Sequence, residues 1–116
     1  MEAGGDGVDA ELLEMLDRLI GLEEKFLPQF AEGTSQCSLL RNRIRALQTA
    51  RELVSGEGKH DREELEFALP RIESIIRKTT KARDKYEPGS RNYRRFDPTV
   101  RAMEQVRSML EQELEG

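Results

Sequence analysis

Apolar residues recur at steps of three and four in four segments of this 116-residue chain, and glycine or proline separates the segments. This spacing places the apolar side chains on one face of an α-helix. The four sets are Leu12, Leu13, Leu16, Leu19, Ile20, Leu22, Leu27 and Phe30; Leu39, Leu40, Ile44, Ala46, Leu47, Ala50, Leu53 and Val54; Leu65, Ala68, Leu69, Ile72, Ile75, Ile76 and Tyr86; and Val100, Met103, Val106, Met109, Leu110 and Leu114. No segment alternates with period two. The predicted fold class is therefore all-α, an antiparallel four-helix bundle built from two repeated helical hairpins, because no helix can hide its apolar face alone.

Capping and breaking residues predict the ends of the first two helices. Asp9 is a suitable N-cap for helix one, and Pro28 favours a bend or an end near that position. Gly33 is placed to adopt a left-handed conformation that closes the helix. The candidate caps of helix two are Thr34, Ser35 and Ser38, and the segment 55–58 ends it.

The second hairpin has equivalent signals. Asp61 followed by Glu64 predicts a capping box at the start of helix three, and Pro70 predicts a kink within it. Pro88-Gly89 is expected to end helix three. Asp97-Pro98 resembles an N-cap followed by proline at the first helical position, so helix four is expected to begin at about 91 or 98.

The length favours a single domain. Residues 1–8 are Gly-rich and acidic and are predicted to form a disordered N-terminus, with one four-helix domain over residues 9–116. The apolar runs are too short to span a bilayer, and the N-terminus lacks the features of a secretory signal. The single Cys37 fits a reducing compartment, so a cytoplasmic location without membrane attachment is expected.

The chain aligns with itself without a gap when Gly33 is placed on Gly89. The other matched pairs include Leu13 with Leu69, Leu16 with Ile72, Ile20 with Ile76, Phe30 with Tyr86, Thr34 with Ser90, Ile44 with Val100, Arg45 with Arg101, Leu47 with Met103 and Arg51 with Arg107. Any two amphipathic hairpins share some apolar matches, but the glycine and arginine matches are more specific. The alignment predicts duplication of a hairpin, with repeat one at about 9–56 and repeat two at about 61–114.

Two stretches carry a resemblance. Residues 30–47, FAEGTSQCSLLRNRIRAL, resemble the loop and second helix of small bacterial helical-hairpin proteins of unknown function. Residues 63–76, EELEFALPRIESII, resemble the first helix of the same family. The resemblance implies that short members consist of one hairpin and that this chain carries two in tandem. It implies no activity, and the second loop, SRNYRRF at 90–96, departs from TSQCSLL at 34–40.

Charge is segregated along the chain although the net charge is only −4. Residues 1–36 carry nine acids and two bases, whereas residues 71–101 carry ten bases and four acids. Alternating charged blocks favour pairing within the bundle, with a protein partner or with another subunit at least as much as binding to a polyanion. The expected function is therefore a non-enzymatic protein-association module.

Two groups of basic residues support an alternative function, binding of RNA or another phosphate-bearing anion. Arg41 and Arg45 lie four residues apart on helix two, where like charges repel. Acids at the end of helix one and in its loop, namely Glu23, Glu24 and Glu32, are the preferred source of compensation. The other group is the segment 91–96, in which basic residues alternate with aromatic rings that could stack on bases; its candidate residues are Arg91, Tyr93, Arg94 and Arg95. Nucleic-acid binding is possible but not favoured, because a solvated loop anchored by Phe96 explains the segment and the chain is acidic overall.

Cysteine and histidine give little support for catalysis. Cys37 lies near the start of helix two, where a thiol can have a lowered pKa, but a small buried hydrophobe is the preferred interpretation. The single His60 has no companion histidine, and no Glu-x-x-His motif occurs in the sequence. The sequence therefore predicts no enzyme, no metal site and no cofactor.

Overall fold

A computed structural model describes residues 3–57 and 60–116, with only the backbone described for residues 3–9. It contains four α-helices: α1 (Ala3–Phe26), α2 (Ser35–Ser55), α3 (Arg62–Arg83) and α4 (Arg91–Glu115). A short 3-10 turn at Leu27–Gln29 includes Pro28 and follows α1 directly. No strand occurs in the described residues, and the predicted all-α class is confirmed.

Successive helices pack as antiparallel neighbours in a four-helix bundle. An ion pair between Asp17 and Arg51 joins α1 to α2, and the Arg62 guanidinium donates to the Leu114 carbonyl oxygen across the α3–α4 interface. Helices α2 and α3 are antiparallel as well, because Glu52 and Glu64 both lie 3.8 Å from His60 between the helices, while Arg45, earlier in α2, contacts Phe67, later in α3. The α1–α2 and α3–α4 loops therefore lie at one end of the molecule, which we call the loop end. The Cα atoms extend over 41 × 39 × 23 Å, so the bundle is flattened.

One continuous core runs between the helices. Its fully buried large side chains are Leu16, Leu47, Ile72, Met103, Val106 and Leu110. Val100 is also fully buried but lies outside this continuous cluster. Each such side chain contributes about 1.5–3 kcal/mol through removal of apolar surface from water. These residues belong to the apolar sets that the helical spacing identifies, so the inner faces are predicted correctly at the centre of the bundle.

The two interhelical loops have the same backbone geometry at the positions that the internal alignment matches. Thr34 caps α2 and Ser90 caps α4, each accepting a hydrogen bond from the backbone N–H three residues later. The preceding residues, Gly33 and Gly89, have φ angles of 84° and 86°. A left-handed conformation at both positions favours glycine because other residues would place a Cβ close to the carbonyl oxygen.

Helix α4 begins at Arg91, the earlier of the two predicted starts, because Ser90 provides the cap. The interpretation of Asp97 as an N-cap is wrong, since its carboxylate binds Arg83 and Arg101 within the bundle. Helix α3 ends at Arg83, before Pro88-Gly89.

Helix beginnings also differ from the predictions. Asp61 occupies the N-cap position of α3, but its side chain makes no capping hydrogen bond, so the capping box is not formed. Helix α1 begins at Ala3, not after Asp9; acidic residues are favourable near a helix N-terminus, which is consistent with this extension. Disorder over residues 1–8 stays a prediction, and residues 1 and 2 lie outside the described residues.

Candidate functional site

The segment 91–96 forms the first turns of α4 and is not a solvated loop. The Arg94 Nε donates to the Gly89 carbonyl oxygen at 3.0 Å, which ties this side chain to the end of its own loop. The Arg95 guanidinium carbon lies 5.9 Å from the centre of the Phe96 ring. Arg91 is exposed. The segment therefore presents its basic groups on a helix rather than on a loop.

Tyr93 is held within the fold by Arg83. The Arg83 guanidinium carbon lies 5.0 Å from the centre of the Tyr93 ring. The same guanidinium binds Asp84 at 2.9 Å and Asp97 at 2.7 Å. Hydrogen bonds from Arg83 to these two carboxylates raise the pKa of Arg83 above its ordinary value. One face of the half-buried tyrosine ring is thus covered by a paired arginine and is not free for base stacking.

Arg41 and Arg45 contact different parts of the molecule. Arg41 forms an ion pair with Glu32 at 2.6 Å, so one of the three predicted acids does compensate this row. Arg45 stacks on Phe67 of α3, with its guanidinium carbon 4.3 Å from the ring centre. Arg71 stacks on the same ring at 3.8 Å. None of these contacts brings Arg41 or Arg45 together with the basic residues at the start of α4.

Cys37 is a buried residue of α2, 3% exposed, as the preferred interpretation predicts. Its backbone N–H donates to the Thr34 hydroxyl in the helix cap. A thiolate nucleophile needs access to its substrate, so this environment favours a structural role.

His60 has an environment that the sequence did not reveal. Its side chain is only 7% exposed, and Nδ1 lies 3.8 Å from both Glu52 of α2 and Glu64 of α3. Neither ring nitrogen has a hydrogen-bond partner among the described residues. Within the described ranges, no group of three acidic, histidine or cysteine side chains is arranged to hold a metal ion.

Exposed apolar side chains are concentrated at the loop end. Five large hydrophobic residues are 38–50% exposed: Leu22, Phe26, Phe30, Leu39 and Tyr86. They lie in the last two turns of α1, the first loop, the start of α2 and the second loop. We call these five residues the loop-end surface. The helical spacing assigned Leu22, Phe30, Leu39 and Tyr86 to inner faces, and that assignment is wrong.

The packing of the hairpins explains this exposure. Helices α1 and α2 pack closely on each other, as do α3 and α4, whereas α1 and α4 have little contact. One such contact joins the Thr99 hydroxyl to the Met15 sulfur at 3.8 Å. Leu22 lies seven residues after Met15, two turns further along the same side of α1. Leu22 is 47% exposed, so this side of α1 is accessible to solvent near the loop end.

Comparisons with protein-family models, with curated proteins and with solved structures found no match to this chain. In the part of the chain that the structure describes, no helix combines the length and the apolar character needed to cross a membrane.

Proposed function

We propose that this protein is an association module that binds a protein partner through its loop-end surface. One observation carries the proposal: the large hydrophobic side chains that are exposed in the described residues all lie at the loop end. Scattered exposed apolar residues are normal on a soluble protein, but exposed large apolar residues that all lie at one end of the molecule favour an interaction site there.

The size of the surface supports a specific contact. A large apolar side chain has a surface of roughly 200 Å², so five residues exposed by 38–50% present on the order of 400 Å². This lies within the range of the largest apolar patches on typical monomers, which are often functional. A partner that covers it gains on the order of 10 kcal/mol before the costs of association are subtracted.

A role in association also agrees with the other features of the chain. We propose that it is non-enzymatic and acts in the cytoplasm, where a lone buried cysteine stays reduced. The equivalent caps at Thr34 and Ser90 support an origin by duplication of one hairpin. Fusion of two hairpins makes their pairing intramolecular and leaves the loop end as the face available to other molecules.

The alternative function, binding of RNA or another phosphate-bearing anion, has weaker support. Exposed basic residues at the start of α4 favour it, since the first turn of that helix contains no acid. However, five of the six candidate residues have partners within the fold. Arg41 is paired with Glu32, Arg45 stacks on Phe67, and the Tyr93 ring lies under Arg83. The Arg94 Nε donates to the Gly89 carbonyl oxygen, and the Arg95 guanidinium lies over the Phe96 ring.

Site-specific photo-crosslinking in cells tests the proposal directly. A photoreactive benzoylphenylalanine replaces Phe26, which is 48% exposed and belongs to the loop-end surface. The matched control places the same group at Gln112, an exposed residue near the other end of the bundle. We expect a defined covalent adduct from position 26 and none from position 112. Equal adducts from both positions, or none from position 26, would contradict the proposal.

A further inference from the structure

We propose that a surface pocket between α3 and α4 binds a small molecule that carries a phosphate monoester. The pocket, which we call the α3–α4 pocket, has a volume of about 410 Å³ and is open to solvent. Its lining consists of Glu73, Ile76, Arg77 and Thr80 from α3 and Arg107 from α4. These residues do not belong to the loop-end surface, so the inference does not depend on the proposed association.

The first hairpin offers a comparison for this pocket within the same chain. In the gap-free alignment of the two hairpins, Glu73 corresponds to Asp17 and Arg107 corresponds to Arg51. Arg51 binds Asp17 at 2.5 Å. In contrast, no carboxylate oxygen of the described residues lies within 4 Å of the charged nitrogens of Arg107. The second hairpin therefore keeps an acid and a base at these positions without their ion pair.

Two further positions make this face of the second hairpin more positive. Arg77 stands where the first hairpin has Gly21, and Thr80 stands where it has Glu24. The lining of the α3–α4 pocket thus contains two guanidinium groups and one carboxylate, a net charge of +1. The equivalent residues of the first hairpin have a net charge of −1. Only the second hairpin therefore favours an anion on this face.

The two arginines of the pocket are available to a ligand. Arg77 lies one turn after Glu73 on α3, yet it forms no ion pair with any acid in the part of the chain that the structure describes. Arg77 is exposed, whereas Arg107 is half-buried. A charge that is partly removed from water and has no partner is unfavourable, so an anion bound here would stabilise Arg107.

The donors and the charge of the pocket fit a phosphate monoester better than a carboxylate. Two guanidinium groups and the Thr80 hydroxyl can donate to three oxygens, and a phosphate monoester has three terminal oxygens where a carboxylate has two. Such a phosphate carries a charge of about −1.5 to −2 near pH 7, so its attraction to the two arginines outweighs repulsion by Glu73. Each backbone phosphate of a nucleic acid carries only one charge.

The size of the pocket leaves room for an organic group beside the phosphate. Small-molecule sites typically have volumes of about 300–1,000 Å³, and the α3–α4 pocket lies within that range. Ile76, which is 8% exposed, contributes an apolar surface. The Glu73 carboxylate can accept a hydrogen bond from a hydroxyl or amine group of the ligand. We therefore infer a small organic phosphate rather than inorganic phosphate alone.

A titration followed by NMR tests the site. Glycerol 3-phosphate is added to the ¹⁵N-labelled protein at about pH 7.5, where its phosphate is mostly dianionic, and the ionic strength is held constant. Succinate, a dianion with carboxylates only, is the ligand control. The variants are Arg77→Gln and Arg107→Gln, and the matched control is Arg51→Gln at the equivalent position of the first hairpin. Circular dichroism verifies that each variant folds.

We expect glycerol 3-phosphate to bind the wild type with a dissociation constant on the order of 1 mM, with chemical-shift changes centred on Arg77, Thr80 and Arg107. Loss of either pocket arginine should weaken binding at least about tenfold, because each supplies a charge-assisted hydrogen bond. Arg51→Gln should bind as the wild type does. Shifts that do not saturate, equal binding by all three variants, or equally tight binding of succinate would overturn the inference.

Discussion

Thr34 and Ser90, at equivalent positions in the two hairpins, cap α2 and α4 with the same hydrogen bond. The Thr34 hydroxyl accepts from the Cys37 N–H at 3.2 Å, and the Ser90 hydroxyl accepts from the Tyr93 N–H at 3.3 Å. The backbone N–H of each capping residue in turn donates to the carbonyl oxygen three residues earlier, at 3.2 Å and 3.0 Å. The end of each loop that enters α2 or α4 is therefore fixed by equivalent interactions.

Removal of either cap is expected to destabilise the protein by a similar amount. Thr34→Ala and Ser90→Ala each leave one N–H of the first helical turn without its acceptor, so each lowers the free energy of unfolding by about 1 kcal/mol. Urea denaturation measures both values. Thr34→Ser and Ser90→Thr keep the hydroxyl and serve as controls with small effects. A loss at only one of the two positions would show that the loops are not energetically equivalent.

Truncation of an apolar side chain is expected to cost more stability at the centre of the bundle than at its loop end. Leu47→Ala and Ile72→Ala remove side chains that are fully buried, so each lowers the free energy of unfolding by about 2–5 kcal/mol. Leu39→Ala, at a position that is 50% exposed, is the matched control and costs less than about 1 kcal/mol. Equal losses at Leu39 and Leu47 in urea denaturation would contradict the described packing.

The sequence predicts the helices and the central core well because both depend on local spacing. Leu16, Leu47 and Ile72 lie at the middle of apolar faces, where any packing of four helices buries them. Gly33 and Thr34 are recognisable from the conformational freedom of glycine and the capping ability of a hydroxyl. These features need no knowledge of which helix packs against which.

The exposure at the loop end could not be predicted from spacing. Helical periodicity identifies the side of a helix on which Leu22 or Leu39 lies, but burial also requires a neighbouring helix at that depth. Phe26 lies outside the apolar set of helix one, and its 48% exposure is seen only in the structure. Similarly, Asp97-Pro98 has the composition of a helix start, and only the contacts of Asp97 with Arg83 and Arg101 show that it lies within α4.

Arg83 is expected to contribute more to stability than another paired arginine, Arg51. The Arg83–Asp97 pair is less than one fifth exposed on both sides, and Arg83 also covers the Tyr93 ring. The Arg51–Asp17 pair is 38% and 55% exposed, so solvent screens it more strongly. Arg83→Ala should therefore lower the urea midpoint clearly more than Arg51→Ala. The reverse order would show that the Arg83 contacts do not hold the start of α4 to the end of α3.

Binding of single-stranded RNA is expected to be weak. Several of the candidate residues have partners within the fold, and the overall charge of −4 opposes a polyanion. Fluorescence anisotropy with a labelled oligonucleotide should show little binding at low salt, and Arg94→Ala/Arg95→Ala should not change it. Tight binding that falls steeply with salt and is lost in that double variant would instead establish the anion-binding alternative.

The central claim is that the loop-end surface is where this protein associates, and photo-crosslinking in cells tests it most directly. The account predicts a defined covalent adduct when benzoylphenylalanine replaces Phe26, which is 48% exposed, and no adduct from the same group at the exposed position 112. Equal adducts from both positions, or none from position 26, would contradict the account.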